Sequence, residues 1–326
     1  MRVLVAGASG AIGRRLIPKI VAAGHEVAAT TRDPAKSGEL HKLGAQPVVM
    51  NGLDADAVAK AVTGAQPEVI VHQMTALAAR ADLRRFDRWF AVTNELRTKG
   101  TDFLLAAARE AGVSRVVAQS YTGWTNPRTG GAVKTERDGL DPDPAPMQRA
   151  SLAAIRYLEQ TVCAGPVTGI VLRYGNFYGP GASEAFVDLI RNRRLPVVGD
   201  GGGVWSWTHL DDAATATVAA LDHGSPGVYN VTDDEPATVA EWLPYLADVA
   251  GAKPPMRVPT WLGRLLAGTV TVQWMTQARG SSNEKAKREL GWHPAWPSWR
   301  EGFRSWLTEA GQQPRPGPAQ ARDPSR

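Results

Sequence analysis

A chain of 326 residues is long enough to bury a large core, as one big α/β domain or as a nucleotide-binding domain with a smaller lobe. With 43% hydrophobic and 21% charged residues it is neither disordered nor fibrous. Its 37 Lys and Arg against 32 Asp and Glu leave +5, spread along the chain, which suits solubility and an anionic ligand and excludes a nucleic-acid footprint.

The opening "MRVLVAGASGAIG" passes straight into a motif, so neither a signal peptide nor a membrane span is expected there, and cytoplasm is the default location. "RVLVAGA" (2–8) reads as a strand, 11–24 as a helix ending at Gly24, and "HEVAATTR" (25–32) as a second strand. Strands at 46–50, 67–73 and 114–120 and helices at 55–64 and 93–112 continue the alternation. Strands alternating with helices of this length imply βαβ units and a parallel sheet covered on both faces, which binds ligands beyond the carboxyl ends of its strands. A helix over 152–165 and a strand running into a Gly-rich loop over 169–181 follow, and then the texture turns irregular and rich in Trp and Pro. The expected division is a nucleotide-binding domain over 1–168 that also takes core strands from 169–180 and 204–232. A mainly substrate-binding lobe then spans 181–311, and a disordered tail spans 312–326. The single cysteine, Cys163, reads as an inert, buried thiol, and no His/Cys/Asp/Glu spacing looks like a metal site.

"GASGAIG" places Gly7, Gly10 and Gly13 between a strand and a helix, with Ser9, Ala11 and Ile12 completing the loop. Gly7 permits the turn, Gly10 lets the backbone approach a pyrophosphate, and Gly13 lets helix and strand pack closely, while the helix N-terminus offers free N–H groups to phosphates. The second strand ends in "TTRDP". Thr31 stands where an acid would meet a ribose diol, and Arg32 follows, with a guanidinium suited to a 2′-phosphate. Asp33 argues mildly the other way, so NADP is expected ahead of NAD.

With these residues the chain resembles the extended short-chain dehydrogenase/reductases, the NAD-dependent epimerase/dehydratase family. "NGLD", "VIVHQMTA", "LRYGNFYGPG", "WTHLDDAATATVAAL" and "GVYNVTDDEPATVAEW" carry the likeness along nearly the whole chain. The resemblance implies a Rossmann-type, doubly wound parallel sheet with a smaller C-terminal substrate lobe, in a homodimer. It implies that Asn51 and Gly52 form the adenine-side turn and that His72, Gln73 and Met74 border the nicotinamide ribose. Arg97 stands where the family commonly has asparagine, with Asn94 one turn earlier. By the same likeness Tyr174 and Asn176 belong to the cofactor loop, and Tyr178 faces the substrate with Asn176.

The active centre departs from the family pattern. There a tyrosine moves the proton that accompanies hydride transfer and a lysine four residues on lowers its pKa. The register falls on "PMQRAS", giving Met147 and Ser151, and none of the tyrosines at 121, 157, 174, 178, 229 and 245 has a lysine four positions on. Met147 cannot supply a proton and reads as an apolar pocket wall; Ser151 is a poor acid that could bond a ribose hydroxyl. Ser120, Tyr121 and Thr122 fall where the family carries its catalytic Ser or Thr, with Tyr121 either a displaced acid or a wall. Trp205 suits core packing or the wall of a flat substrate, Arg173 reads as structural, and His209 as ordering the sheet edge with Asp211 or Asp212. The resulting expectation is an NADP-dependent oxidoreductase acting on a carbonyl or alcohol of a small organic or sugar-like molecule. The alternatives are a nucleotide-sugar epimerase or dehydratase and a non-catalytic NADP(H) sensor.

Overall fold

The computed structural model describes residues 1–77 and 85–312. In chain order it begins with β1 (Arg2–Ala6), α1 (Ala11–Ala22), β2 (Glu26–Thr31), α2 (Ser37–Lys42), β3 (Gln46–Val49), α3 (Ala55–Ala65) and β4 (Val69–His72). There follow α4 (Phe86–Trp89), α5 (Ala91–Arg97), α6 (Lys99–Glu110), β5 (Arg115–Tyr121), β6 (Val133–Lys134) and α7 (Arg149–Cys163). Next come β7 (Thr168–Tyr174), β8 (Asn176–Tyr178), α8 (Glu184–Arg191), β9 (Val197–Val198), β10 (Val204–Trp205), β11 (Trp207–His209), α9 (Leu210–Ala219) and β12 (Gly227–Val231). The last are β13 (Ala237–Thr238), α10 (Val239–Val249), β14 (Arg257–Val258), α11 (Thr260–Gln277), β15 (Gly280–Ser281), α12 (Glu284–Leu290) and α13 (Trp299–Gln312).

The apolar runs of the first half pair into a seven-stranded sheet of order β12-β7-β5-β4-β1-β2-β3, every pair parallel. Chain order runs outward in opposite directions from the β1–β4 pair, so the crevice for a ligand opens at the carboxyl ends of these two strands. Successive side chains of β1 serve both faces, as a strand's period of two requires. Val3 and Val5 pack with Leu16, Ile17 and Ile20 of α1 and with Ala213 and Ala216 of α9. Leu4 and Ala6 pack with Val58 and Val62 of α3, Leu104 of α6 and Leu158 of α7. Full burial of each such Leu, Ile or Val contributes about 1.5–3 kcal/mol, which is why these strands read as unbroken apolar runs.

A third cluster gathers Tyr178, Trp207, Trp242, Trp299 and Phe303, with Trp207 edge-on to Trp242 and to Phe303. The tryptophan-rich second half thus makes a core of its own.

One expected element is divided. The helix read over 93–112 breaks into α5 and α6 at Thr98, whose φ of −101° and ψ of −87° are not helical. The Thr98 hydroxyl donates back to the carbonyls of Asn94 and Glu95, a local bond that competes with the helical ladder. The break also lets Gly100 press on the turn at Asn51 and Gly52, since a Cβ there would lie 3.1 Å from the Gly52 carbonyl oxygen. Beyond residue 312 the expected disordered tail lies outside the described residues.

Candidate cofactor and substrate site

The glycine loop has the shape that its three glycines require. Gly7 takes φ +87° directly after β1, and a Cβ there would meet the Gln73 carbonyl oxygen at 2.7 Å. Gly13 is pressed still harder, with a Cβ 2.2 Å from the Ala8 carbonyl oxygen. Gly10 differs: the nearest atom a Cβ there would meet is the Gly7 oxygen at 3.5 Å, an ordinary contact, so a side chain could be added without a clash. It occupies the N-cap of α1 with no side-chain capping bond, and the first turn carries no acid. The cradle therefore fits a dinucleotide diphosphate, with uncapped N–H groups and a positive dipole end facing outward. Ser9 is half-buried, its hydroxyl 3.4 Å from that of Thr31; Ala11 is exposed, and Ile12 is buried in the core.

On the adenine side Arg32 is exposed at the end of β2. The Asp33 carboxylate is turned away, accepting the Ala35 N–H at 3.0 Å to cap the short turn that follows. Asn51 is exposed, and its amide oxygen accepts the Leu53 N–H. Gly52 beneath it leaves room for Met74, whose sulfur would sit 2.3 Å from a Cβ there.

The residues expected around the nicotinamide ribose are mostly internal. Met74 packs in the core with Leu96. The His72 ring bonds Thr101 through Nε2 at 3.2 Å and accepts the Met74 N–H at Nδ1, and burial pulls its pKa down to about 4, so it is neutral. Arg97 is buried with its guanidinium 5.6 Å from the Phe90 ring centroid, and burial lowers its pKa to about 10. Gln73 donates to the Tyr174 hydroxyl at 3.3 Å, while its own amide oxygen has no partner. Tyr174 is fully buried and also meets Thr217 at 2.7 Å, so its side chain belongs to the sheet core rather than to an open cofactor face.

The sequence-derived proton donors separate sharply. Ser120 is buried and donates to Glu159 Oε1 at 2.7 Å, and Thr122 is buried against Ser281 and Asn126, so neither reaches the cleft. Tyr121 does reach it, as does Asn176: the tyrosine hydroxyl donates to Asn176 Oδ1 at 2.8 Å, and burial drives its pKa upward. Ser151 is buried, donating to Asp87 at 2.6 Å and accepting from Asn94 at 3.1 Å, which removes it from any substrate pocket. Met147 lies on the 146–148 turn, 39% exposed, and not on the cleft wall. The expectation that Tyr178 faces the substrate is not met either. It is fully buried, stacked on Phe303 at 4.5 Å, because Gly302 leaves room for its ring.

The cleft itself is aromatic. Two adjoining narrow clefts share Trp124, Trp274 and Ala278. Tyr121, Asn176 and Trp205 line one, and Asn126 and Gln148 the other. Trp205 donates its indole N–H to the Trp274 carbonyl at 2.9 Å. Sequence reading missed Trp124, although it sits two residues beyond "SYT", and had no local signal for Gln148 or Trp274, which reach the cleft only through the fold. Arg173 proves structural, as expected, gripping Glu159 at 2.7 and 2.6 Å. His209 caps α9 through the Asp211 N–H, with its pKa lowered to about 4 by burial. Cys163 is half-buried and its thiol is pushed up to about 11. Among the described residues there is no metal-binding cluster, and no helix is long and apolar enough to cross a membrane.

The sequence profile of the NAD dependent epimerase/dehydratase family matches residues 3–232. The chain belongs to this family. Membership makes it an NAD(P)-dependent enzyme of the oxidoreductase type with a Rossmann-type sheet. Among curated relatives, a "3-diazoavenalumate denitrifying reductase" of Streptomyces sp is 44% identical over 310 residues, covering 93% of this chain and 99% of that protein. A "4-hydroxy-2-methyl-3-oxo-4-farnesyl-3,4-dihydroquinoline-1-oxide ketoreductase" of Stigmatella aurantiaca is 28% identical over 90% of this chain and 92% of its own length. Among solved structures, the UDP-glucose 4-epimerase of Thermus thermophilus in complex with NAD superposes with a TM-score of 0.72 at 25% identity, over 96% of this chain and 99% of that one.

Proposed function

We propose that the chain is an NADPH-dependent reductase of aromatic substrates that replaces a diazo group by hydrogen, releasing dinitrogen. The observation that carries this reading is a cleft walled by indoles whose lining hydroxyl, that of Tyr121, is engaged to Asn176. Ser120, Thr122 and Ser151 are committed elsewhere, and Tyr121 directs its proton to Asn176 with a pKa raised above its ordinary value. When bound, the dinucleotide supplies a hydride, which at a carbonyl carbon leaves an alkoxide needing a proton, but at an aromatic carbon bearing a diazonium group releases dinitrogen and needs none. The name of the Streptomyces relative, a denitrifying reductase of a 3-diazo compound, supports the same chemistry.

The chain's own residues then have three tasks. Gly7, Gly10 and Gly13 hold the diphosphate through backbone N–H groups, and Arg32 meets the 2′-phosphate, a role favoured by the engagement of Asp33 in its turn. The indoles of Trp124, Trp205 and Trp274 orient a flat ring and exclude water. Tyr121 and Asn176, tied together, present a neutral polar edge beside that ring.

A second reading is favoured by one contact. The Tyr121 hydroxyl stands on the cleft wall, where it could protonate an alkoxide, and the Stigmatella relative is named a ketoreductase. One experiment separates the two. Purified protein with 4-deuterated NADPH is offered benzenediazonium salts and aryl ketones, and product deuterium and evolved dinitrogen are measured. Deuterated arene with one dinitrogen per NADPH is the expected result; deuterated alcohol alone gives the second reading. Binding of NADPH without either product would leave a sensor.

A further inference from the structure

The cleft contains two buried polar groups that the protein itself does not satisfy. Trp274 Nε1 and Gln148 Nε2 are both shielded from solvent, and neither has a hydrogen-bond partner. Gln148 is 4% exposed, although its side chain belongs to one of the most strongly hydrated types. Both line the cavity that opens beside Trp124. Buried donors are nearly always paired, so two orphans on one cavity call for an acceptor that comes from outside.

The walls that carry them are fixed. Thr122 and Asn126 anchor the loop bearing Trp124 to the 279–281 segment: Thr122 meets the Ser281 hydroxyl at 2.5 Å and Asn126 donates to Arg279 O, Gly280 O and Ser281 Oγ. Trp274 is tied by its own carbonyl to Trp205 at 2.9 Å, and its ring lies 6.5 Å from that of Trp124 at an interplanar angle of 16°. Phe86 packs edge-on to both indoles, at 5.1 and 5.8 Å. Arg128 and Asp141, which line the same cavity, pair with each other at 3.0 Å, so their charges offset one another beside the two unpaired donors.

We infer that Gln148 and Trp274 are substrate-positioning residues that hold a hydrogen-bond-accepting oxygen borne by the substrate's aromatic ring. The acceptor is a phenolic or carboxylate oxygen at the end of the ring remote from Tyr121 and Asn176. Two donors lining one cavity, each able to bond a substrate oxygen, restrict the ring's rotation in its plane, which stacking alone cannot do, and so choose which ring carbon is presented to the reacting edge. The inference rests on the reading that this cleft takes an aromatic substrate, but not on the identity of the leaving group.

The test is equilibrium binding by ligand-observed NMR titration of the full chain with two unreactive probes, 4-hydroxybenzoate and its oxygen-free analogue p-xylene. The variants are Trp274→Phe, which keeps an aromatic ring and deletes the N–H, and Gln148→Leu, which keeps the bulk. The wild type should bind 4-hydroxybenzoate at least about tenfold more tightly than p-xylene. Each variant should lose about tenfold for 4-hydroxybenzoate and stay within about twofold for p-xylene, the factor expected for one hydrogen bond. Equal losses for both probes would reduce the two residues to packing, and unchanged 4-hydroxybenzoate binding in both variants, or no binding by the wild type, overturns the inference. Far-UV circular dichroism of each variant identifies a folding failure, and the 4-hydroxybenzoate to p-xylene ratio in the other variant then decides. Reduction of unsubstituted benzenediazonium, which carries no oxygen, is read in parallel. It can succeed when the subsite fails, so the two failures are distinguishable.

Discussion

Ser120 Oγ and Arg173 Nε converge on one oxygen, Glu159 Oε1, each at 2.7 Å, inside the sheet–helix interface. A serine at the end of the fifth strand, one of the three residues of "SYT" expected near the chemistry, is the third member of a buried ionic cluster. Glu159→Gln should cost about 3–5 kcal/mol, because it leaves the Arg173 guanidinium buried and uncompensated. Ser120→Ala removes one charge-assisted bond and should cost about 1.5–3 kcal/mol while changing turnover by less than about twofold. Urea unfolding beside the NADPH assay checks both. A loss of turnover in Ser120→Ala out of proportion to stability would return the serine to the chemistry.

Buried neutral histidine makes stability depend on acid. The folded-state pKa of His72 is about 4 against an ordinary 6.5, burial being the chief cause. Between those values the unfolded chain takes up a proton that the folded chain refuses, so its contribution is complete above pH ~6.5 and fades as pH falls toward ~4. At about 1.4 kcal/mol per pKa unit the loss reaches about 3 kcal/mol. Asp233 works in the opposite sense, since burial raises its pKa well above the ordinary carboxyl value and its folded form holds a proton that the unfolded form releases. The clean measurement is therefore a difference: the stability gap between wild type and His72→Gln, followed by urea unfolding from pH 7 to 4, should narrow by about 3 kcal/mol. A gap constant with pH would mean that His72 takes up its proton in the fold as readily as in the unfolded chain.

The three loop glycines should fail in different ways when enlarged. At Gly10 a Cβ meets nothing closer than 3.5 Å, so Gly10→Val should leave the melting temperature nearly unchanged while abolishing dinucleotide binding, the side chain filling the cradle. At Gly13 the Cβ would sit 2.2 Å from the Ala8 carbonyl oxygen, so Gly13→Ala should destabilise the fold by at least about 1–3 kcal/mol, through overpacking. Calorimetry with NADPH and thermal melts of both variants separate a binding defect from a folding defect. Equal thermal losses in both would deny the cradle its openness.

What the sequence disclosed follows from how local each signal is. The sheet was legible because short, unbroken apolar runs alternate with amphipathic helices, and the glycine cradle because three residues in seven obey one backbone geometry. Tyr121 at the cleft was legible because it follows a strand end. The error at Tyr178 arose because its neighbourhood is decided by Gly302, more than a hundred residues away, which opens the slot for the ring. Ser151 was misjudged for the same reason, since Asp87 takes its hydroxyl across a helix pair. Gln148 lies within "PMQRAS", where the register singles out only Met147 and Ser151, and Trp274 lies in no motif; the packing of α11 against the β5 loop brings them to one cavity.

Choice of dinucleotide should turn on a single guanidinium. Arg32 is exposed at the end of β2, and the neighbouring carboxylate of Asp33 is engaged by the Ala35 N–H. Arg32→Gln should raise the KM for NADPH by about tenfold to a hundredfold, the equivalent of a charged hydrogen bond of about 1.5–3 kcal/mol, and leave NADH nearly unaffected. Steady-state kinetics with both cofactors decide it. An equal effect on both would place the adenosine end elsewhere.

Tyr121 discriminates between the two chemistries proposed for the cleft. Its hydroxyl is 2.8 Å from Asn176 Oδ1 and burial raises its pKa, so at neutral pH it keeps its proton. If the reaction displaces dinitrogen from an aromatic carbon, no proton passes through this hydroxyl. Tyr121→Phe should then change kcat by less than about threefold, with a modest rise in KM from the unpaired Asn176 oxygen, worth about 1–3 kcal/mol at most. A carbonyl reduction that used the tyrosine as acid would lose about 10²–10⁴ in kcat, with a pH profile flattened on its alkaline side. Solvent deuterium sharpens the distinction: displacement of dinitrogen carries hydrogen only from the cofactor, so the new C–H position should contain no solvent deuterium in D₂O and the rate should show almost no solvent isotope effect. A large kcat loss in Tyr121→Phe together with a solvent isotope effect would assign the protein to carbonyl reduction.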